Sequence, residues 1–294
     1  MIAFINKKSP RKKRRFFFAI VFLRNCRGCF FKENFGCCGF IAYGNELKVV
    51  IRNSECRDLK SRYSIASDCK SAATGNNVSN NRNAQTSWID LFGWGTSGWN
   101  SGATEYQPWS SVAGYSRYYP GNGSDNDLTG TYAQADWGVY NSIGSDSAGT
   151  WRTPTKDEWE YLINTRNTTS GIRYAKATVN GVTGLIIVPD NWSTSTYAFN
   201  STSTNSQTAA YTTNDINAAT WTTLENAGCV FLPNAGHRYE GNKVDHQGVS
   251  GLYWSSTHYS SPYYASILYV ANDKVRIDCD DKSNGASVRM IKEF

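Results

Sequence analysis

The stretch TWRTPTKDEWEYLINTR (residues 150–166) sets three acids and two arginines around Trp151 and Trp159. Such a density of charge reads either as an active site or as the grammar of a helix, and the spacing decides between them. Thr155 followed three residues later by Glu158 is a capping box, and Pro154 stands just before it. Trp159, Leu162 and Ile163 then recur at i, i+3 and i+4, the apolar stripe of a short helix. Asp157 and Glu158 fall in the first turn, where the helix dipole favours acids, and Arg166 near the end, where it favours bases. The charges are helix grammar, and the segment is scaffold.

Outward from this helix the chain alternates between irregular and extended sequence. Residues 88–150 are rich in Gly, Asn and Trp without a sustained period, which implies irregular structure pinned by buried rings, with short strands at most. Val182–Val188 reads as a buried strand stopped by Pro189, residues 193–215 as a Ser/Thr/Asn-rich loop, and Ala218–Asn226 as a second short helix ended by Gly228. Cys229–Leu232 and Tyr253–Ser256 read as strands. Tyr264–Val270 and Lys274–Asp280 form a hairpin across Ala271-Asn272-Asp273. In its second arm Val275, Ile277 and Cys279 face one way, and Lys274, Arg276, Asp278 and Asp280 the other. Ala286–Ile291 reads as the last strand. Two short helices, a small antiparallel sheet and long loops make an α+β fold.

The formal charge of +6 over 294 residues is unevenly placed. Residues 1–70 carry 16 Lys/Arg against 5 Asp/Glu (+11), and residues 71–294 carry 14 against 19 (−5). Six of the eight cysteines lie in the first part and all ten tryptophans after it, so two kinds of sequence join near residue 74. The basic balance belongs to 1–74 and gives no reason to expect nucleic acid as a partner of 75–294. The opening run MIAFINKKSPRKKRRFFFAIVFLRNC resembles the start of an export signal, yet its apolar run is eight residues long and Arg24 ends it. That is too short to span a bilayer. A degenerate export signal, a basic binding arm and a stretch outside the native folded protein all remain open for it. Cys26-x-x-Cys29 and the adjacent Cys37 and Cys38 lack a nearby histidine and make a poor zinc set. In the second part the Ser, Thr, Asn, Gly, Tyr and Trp content suits an extracellular or cell-surface module.

No catalytic constellation stands out. The histidines His237, His246 and His258 are spaced by nine and twelve residues, which matches no ligand grammar, although Asp245 adjoins His246. Gly-x-Ser-x-Gly is absent. Asp136, Asp157, Glu158 and Glu160 are the acids available to a glycosidase pair, and two of them already serve a helix start. Asp278-Cys279-Asp280-Asp281 is the densest acidic run, read as a solvated hairpin end in preference to a calcium site. No metal or other cofactor is expected. What remains is an aromatic and polar tract of ligand-binding character: His237, Tyr239, Asp245, His246, His258, Tyr259, Tyr263, Tyr264, Asp278, Asp280 and Asp281. Tyrosines among small polar residues supply rigid contact area with adaptable hydrogen bonds. The same tyrosines could instead pack the sheet, since alternate positions of a strand face inward.

Several stretches taken together carry a family likeness. WIDLFGWGTSGW (88–99), ADWGVYN (135–141), WRTPTKDEWEYL (151–162), FLPNAGHR (231–238), YWSST (253–257) and GASVRMIKEF (285–294) resemble, in order and spacing, the Fibrobacter succinogenes major paralogous domain proteins of Bacteroidetes. WRTPTKDEWEYL is also similar to the Arg-Leu-Pro-Thr-x-x-Glu-Trp-Glu signature of the formylglycine-generating family, whose fold is C-type-lectin-like. The resemblance covers about residues 85–294. It implies an elaborated C-type-lectin-like domain with its ends close together and its ligand face on irregular loops. The family's copper-binding cysteine pair is not matched, since Cys229 and Cys279 sit in no corresponding motif. Calcium-lectin motifs (Glu-Pro-Asn, Gln-Pro-Asp, Trp-Asn-Asp) are absent, so calcium-bridged sugar binding is not implied. The YWSST and SVR ending further resembles the variable proteins of diversity-generating retroelements, which rewrite C-terminal loop residues for binding. By that likeness His258, Tyr259, Ser260, Tyr263, Tyr264 and Asp278–Asp281 would be binding positions, and Trp254, Ser255, Val288 and Arg289 scaffold. The expectation is a non-enzymatic surface or secreted module that binds a protein or a glycan. The alternatives are an enzyme related to the formylglycine-generating family and a structural or adhesive envelope module.

Overall fold

A computed structural model of the chain describes residues 38–43, 46–50, 91–103, 115–141, 146–239 and 243–292. The basic opening run with Cys26, Cys29 and Cys37 lies outside the described residues, as do Trp88 and Trp109. In chain order the described elements are strands β1 (Cys38–Tyr43) and β2 (Glu46–Val50), helix α1 (Trp137–Tyr140), β3 (Trp151–Arg152) and helix α2 (Lys156–Glu160). They continue with β4 (Tyr174–Val179), β5 (Val182–Ile187), β6 (Asp215–Ile216), helix α3 (Ala218–Asn226), β7 (Val230–Pro233), β8 (His237–Tyr239) and β9 (Lys243–Asp245). The last four are β10 (Gly251–His258), β11 (Tyr264–Ala271), β12 (Lys274–Asp281) and β13 (Arg289–Lys292). Small, mainly antiparallel sheets with few helices make the fold α+β. Among the described residues no helix is long and apolar enough to cross a membrane.

The opening stretch folds as its spacing dictates. Thr155 Oγ1 accepts the Glu158 amide at 3.2 Å, and the Glu158 carboxylate accepts the Thr155 amide at 2.8 Å, completing the capping box. Arg152 on β3 closes on the same carboxylate with two bonds, 2.6 and 2.7 Å. Trp159, with no exposed surface, donates its indole N–H to the Trp254 carbonyl of β10. After Glu160 the helix widens into a π-helical turn, Tyr161–Thr165. Arg166 stands at the C-cap of that turn, its amide donating to the Tyr161 carbonyl. Its buried guanidinium binds Asp190 at 3.0 Å and the Arg173 carbonyl at 2.9 Å. Asp136 caps α1 through the Gly138 amide and accepts the Thr153 amide, so it too is scaffold.

The three-stranded sheet β10-β11-β12 is the spine of the site, and it is covered on both faces. Leu252, Trp254, Ala265 and Ile267 face one apolar cluster with Phe92, Trp94 and Trp137. Tyr253, Leu268, Val270 and Val275 face another with Trp159, Leu162 and Ile163. Each of the buried leucines, isoleucines and valines among these contributes about 1.5–3 kcal/mol. Trp94 and Trp254 exchange indole bonds across the first face, to the Ser255 and Phe92 carbonyls respectively. At the turn of the β11–β12 hairpin, the buried ammonium of Lys176 on β4 bonds the carbonyls of Gln207, Ala271 and Asn272. Burial pushes that ammonium down to about 8.

A second sheet, β6-β4-β5-β7, packs its own core of Ile186, Trp192, Trp221 and Phe231. Its β4–β5 hairpin was not anticipated, although Asn180-Gly181, both at positive φ, is a strong two-residue turn signal. The last strand also starts later than expected, at Arg289. Ala286 and Ser287 make isolated bridges to Phe92 and Tyr253 instead. β13 pairs with β3 on one side and, in parallel, with β1 on the other, so the last strand adjoins an N-terminal one.

Candidate functional site

The tract chosen from sequence splits into two places. His258 ends β10, Tyr264 begins β11, and the register sets Tyr264 opposite Asp281, Ala265 opposite Asp280 and Ile267 opposite Asp278. His258, Tyr259, Tyr263, Tyr264, Asp278, Asp280 and Asp281 therefore share one end of the spine sheet. The other four anticipated residues lie elsewhere. His237 stands opposite Asp245 and Tyr239 opposite Lys243 in the β8–β9 pair, with His246 next along the chain. Gly236 bridges Gly251, the first residue of β10, and Arg238 exchanges backbone bonds with Gly285, four residues beyond Asp281. The pair is thus anchored away from His258, with the eight residues of β10, roughly 25 Å, between Gly251 and His258, but it approaches the acidic run through Gly285.

The tyrosine end is a tight loop on a fixed base. The Tyr259 amide donates to the Tyr264 carbonyl at 3.0 Å, the Tyr264 amide to Ser261 at 3.2 Å, and the Lys282 amide to Tyr263 at 2.9 Å. Tyr259 and Tyr263 stay 40% and 46% exposed, and Tyr115, at 44%, packs its ring against Tyr263 with centroids 4.8 Å apart. Tyr264 is half-buried and lies edge-on to Tyr263. His258 is tied to Asp127, whose Oδ1 meets both the His258 amide (2.8 Å) and its Nδ1 (2.7 Å).

The acids at this end differ in environment. Asp278 is engaged by Arg276, through Nε at 2.9 Å and Nη2 at 2.5 Å. Asp280 accepts from Asn284 at 2.9 Å and from the Asp281 amide, while its enclosed Oδ2 has no hydrogen-bond partner. Burial pushes the Asp280 carboxyl up to about 6, so the expectation of a fully solvated acidic run fails at this residue. Lys282 follows, buried, with its ammonium 4.7 Å from the Trp94 ring centroid and 4.9 Å from that of Tyr119, donating to the Ser124 carbonyl. Burial lowers it to about 8. Tyr115, Tyr119, Asp125, Asp127 and Lys282 were not anticipated. The 115–127 segment reaches the site only through contacts such as Asp127 to His258, 131 residues apart, which no local pattern announces.

At the other end, His237 and His246 stack at 5.5 Å and 9°. His246 holds a φ of +60°, and its carbonyl accepts the amides of Val249 and Ser250. Gly236, at φ +74°, allows the close crossing, since a Cβ there would lie 2.2 Å from the Asp245 carbonyl. Burial, then the neighbouring His246, lowers the His237 pKa.

Among the described residues no three His, Cys, Asp or Glu side chains are grouped to hold a metal ion. Cys229 and Cys279 are both free thiols, the first in the core around Trp221 and Phe231, the second on β12 opposite Ser266. Burial pushes the Cys229 thiol well above its ordinary value.

A family model described as a domain of unknown function, DUF8237, matches residues 190–291. That span holds β6 through the middle of β13 and both groups of anticipated residues, but neither α2 nor the 115–127 segment. No curated protein and no solved structure matches the chain.

Proposed function

We propose that the chain is a non-enzymatic ligand-binding module of elaborated C-type-lectin-like architecture, secreted or displayed at a cell surface, that takes a protein or glycan on the tyrosine end of its spine sheet. One observation carries the reading. Three exposed tyrosines, Tyr115, Tyr259 and Tyr263, gather on loops at the end of a sheet whose two faces are both occupied by core. Exposed rings on a rigid base are what binding surfaces use, because little conformational entropy is lost on contact. The buried, high-pKa thiol of Cys229 favours this reading over copper-dependent oxidation, which needs a pair of accessible thiolates.

The test is a screen of the full chain against arrays of glycans and cell-surface proteins, repeated with Tyr259→Ala/Tyr263→Ala. A ligand held by the parent chain and lost by the double variant at unchanged melting temperature supports the reading. A ligand held equally by both overturns it.

A further inference from the structure

The β8–β9 pair carries a titratable contact that the tyrosine face does not use. His237 and His246 lie with nearly parallel rings, centroids 5.5 Å apart and planes 9° from one another. His237 is half-buried on β8, and His246 is exposed, one residue beyond β9. His246 takes its place with a φ of +60°, a backbone that residues bearing a side chain rarely adopt. Its carbonyl accepts the Val249 and Ser250 amides, each at 2.9 Å, and so forms the 246–250 turn.

That turn is a joint between several elements. The Gly248 amide donates to the Asn234 carbonyl, and the Gly236 amide to the Ser250 carbonyl, both at 2.7 Å. The Thr183 hydroxyl of β5 donates to the Gly248 carbonyl at 2.7 Å. Ser250 then leads directly into β10. His246 to Val249 stay exposed, so water reaches the turn from outside.

Two neutral imidazoles stack without repulsion, whereas two imidazolium rings at this distance push apart. Burial lowers the His237 pKa, His246 lowers it further, and Asp245, opposite His237 in the strand pair, acts against both. The single Asp245 charge balances one added proton and leaves a second uncompensated. Arg238, next along β8, points by alternation to the other face of the pair and is fully buried. Through the Arg238–Gly285 backbone bonds the pair also adjoins Asn284 and the Asp280 carboxyl, which burial holds up at about 6. The fold favours protonated Asp280, so that group answers acid with the opposite sign. The His237 contribution is present above pH 6.5 and is lost as pH falls through the depressed value.

We propose that the His237–His246 stack is an acid-sensitive latch, which releases the 246–250 turn from β5 and the β7–β8 connection once both rings are charged.

The experiment is amide exchange on the full chain at about pH 7.5 and about pH 5, read as protection factors so that the intrinsic pH dependence cancels. The expected result is that the Val249 and Ser250 amides lose protection about two- to fivefold in acid, while the Leu268 amide on β11 keeps its own. His237→Phe keeps a ring in the stack without a charge, and His246→Asn suits the positive φ and removes the second charge. Each variant should abolish the acid response. A parent chain with unchanged protection overturns the inference, as does a response that survives in either variant. Equal loss at Leu268 overturns it too, since acid would then open the whole domain. If His237→Phe does not fold, His246→Asn decides alone.

Discussion

Two regions of this molecule are equally dense in charge and aromatic rings, and they differ in where their partners lie. At the α2 cap, the Glu158 carboxylate takes two bonds from Arg152 and one from the Thr155 amide, and the Trp159 indole is seated on the Trp254 carbonyl. At the far end of the spine sheet, Asp280 keeps an oxygen without a hydrogen-bond partner, and three tyrosines present 40–46% of their surface to solvent. A group whose partners lie inside the chain serves folding. Rings left exposed are open to a ligand, whereas an enclosed oxygen without a hydrogen-bond partner only costs stability. The comparison teaches that exposure on a fixed base, rather than charge density, separates face from scaffold.

Five substitutions break or sharpen this contrast. Trp159→Ala should cost the most, about 3–5 kcal/mol, because it empties the core between α2 and the spine sheet. Thermal unfolding checks it, and a loss under about 1 kcal/mol would mean that α2 is not the scaffold described. Asp280→Asn should act in the opposite direction. The fold raises this carboxyl from 3.8 to about 6, so it favours the protonated form. Its contribution to stability is full below pH 3.8 and is lost as pH rises through about 6. The neutral amide should therefore stabilise the chain at pH 7 by up to about 3 kcal/mol, with no gain at pH 3.5. Denaturant melts at the two pH values read the difference, and an equal effect at both would refute it.

The stacked histidines give a smaller effect of the other sign. The fold lowers the His237 pKa, so its contribution is present above 6.5 and is lost as pH falls through the depressed value. His237→Gln should flatten the loss of stability on acidification by less than about 1 kcal/mol, seen as converging melting temperatures of parent and variant. Smallest on stability, at under about 0.5 kcal/mol, should be Tyr259→Ala and Tyr263→Ala, whose measurable consequence is loss of ligand. If either variant unfolds the chain, these rings belong to the core and the contrast collapses.

Much of the scaffold was legible in the sequence because its signals are local. The Thr155/Glu158 box lies within four residues, and the β11–β12 hairpin announces itself by alternation on both sides of Ala271-Asn272-Asp273. Asn180-Gly181 is an equally local signal, for the β4–β5 turn. The site was legible only by half. Tyrosines and acids on adjoining strand ends could be paired from the hairpin register. His237 and His246 group with them through nearness in sequence, whereas their strand pair joins the rest of the fold at Gly251 and Gly285. Tyr115 and Asp127 join the face by tertiary contact alone, as does Lys282 in its cage of rings. The α+β class follows from these local signals, whereas the arrangement of the loops depends on how the clusters pack.

The ammonium of Lys176 has a consequence for motion. It clamps the carbonyls of Ala271 and Asn272 to the second sheet, so the β11–β12 hairpin is held at its turn by more than its own strand pairing. Opening should start from the other end, at residues 259–264, where the loop is closed by the Tyr259 amide on the Tyr264 carbonyl, the Tyr264 amide on that of Ser261 and the Lys282 amide on that of Tyr263. Amide deuteration should then run as a steep gradient along the hairpin, fastest beside Tyr259 and slowest beside Val275. The hairpin behaves as a reed fixed at its heel, whose free tip can adapt to a visitor while its root keeps the pitch.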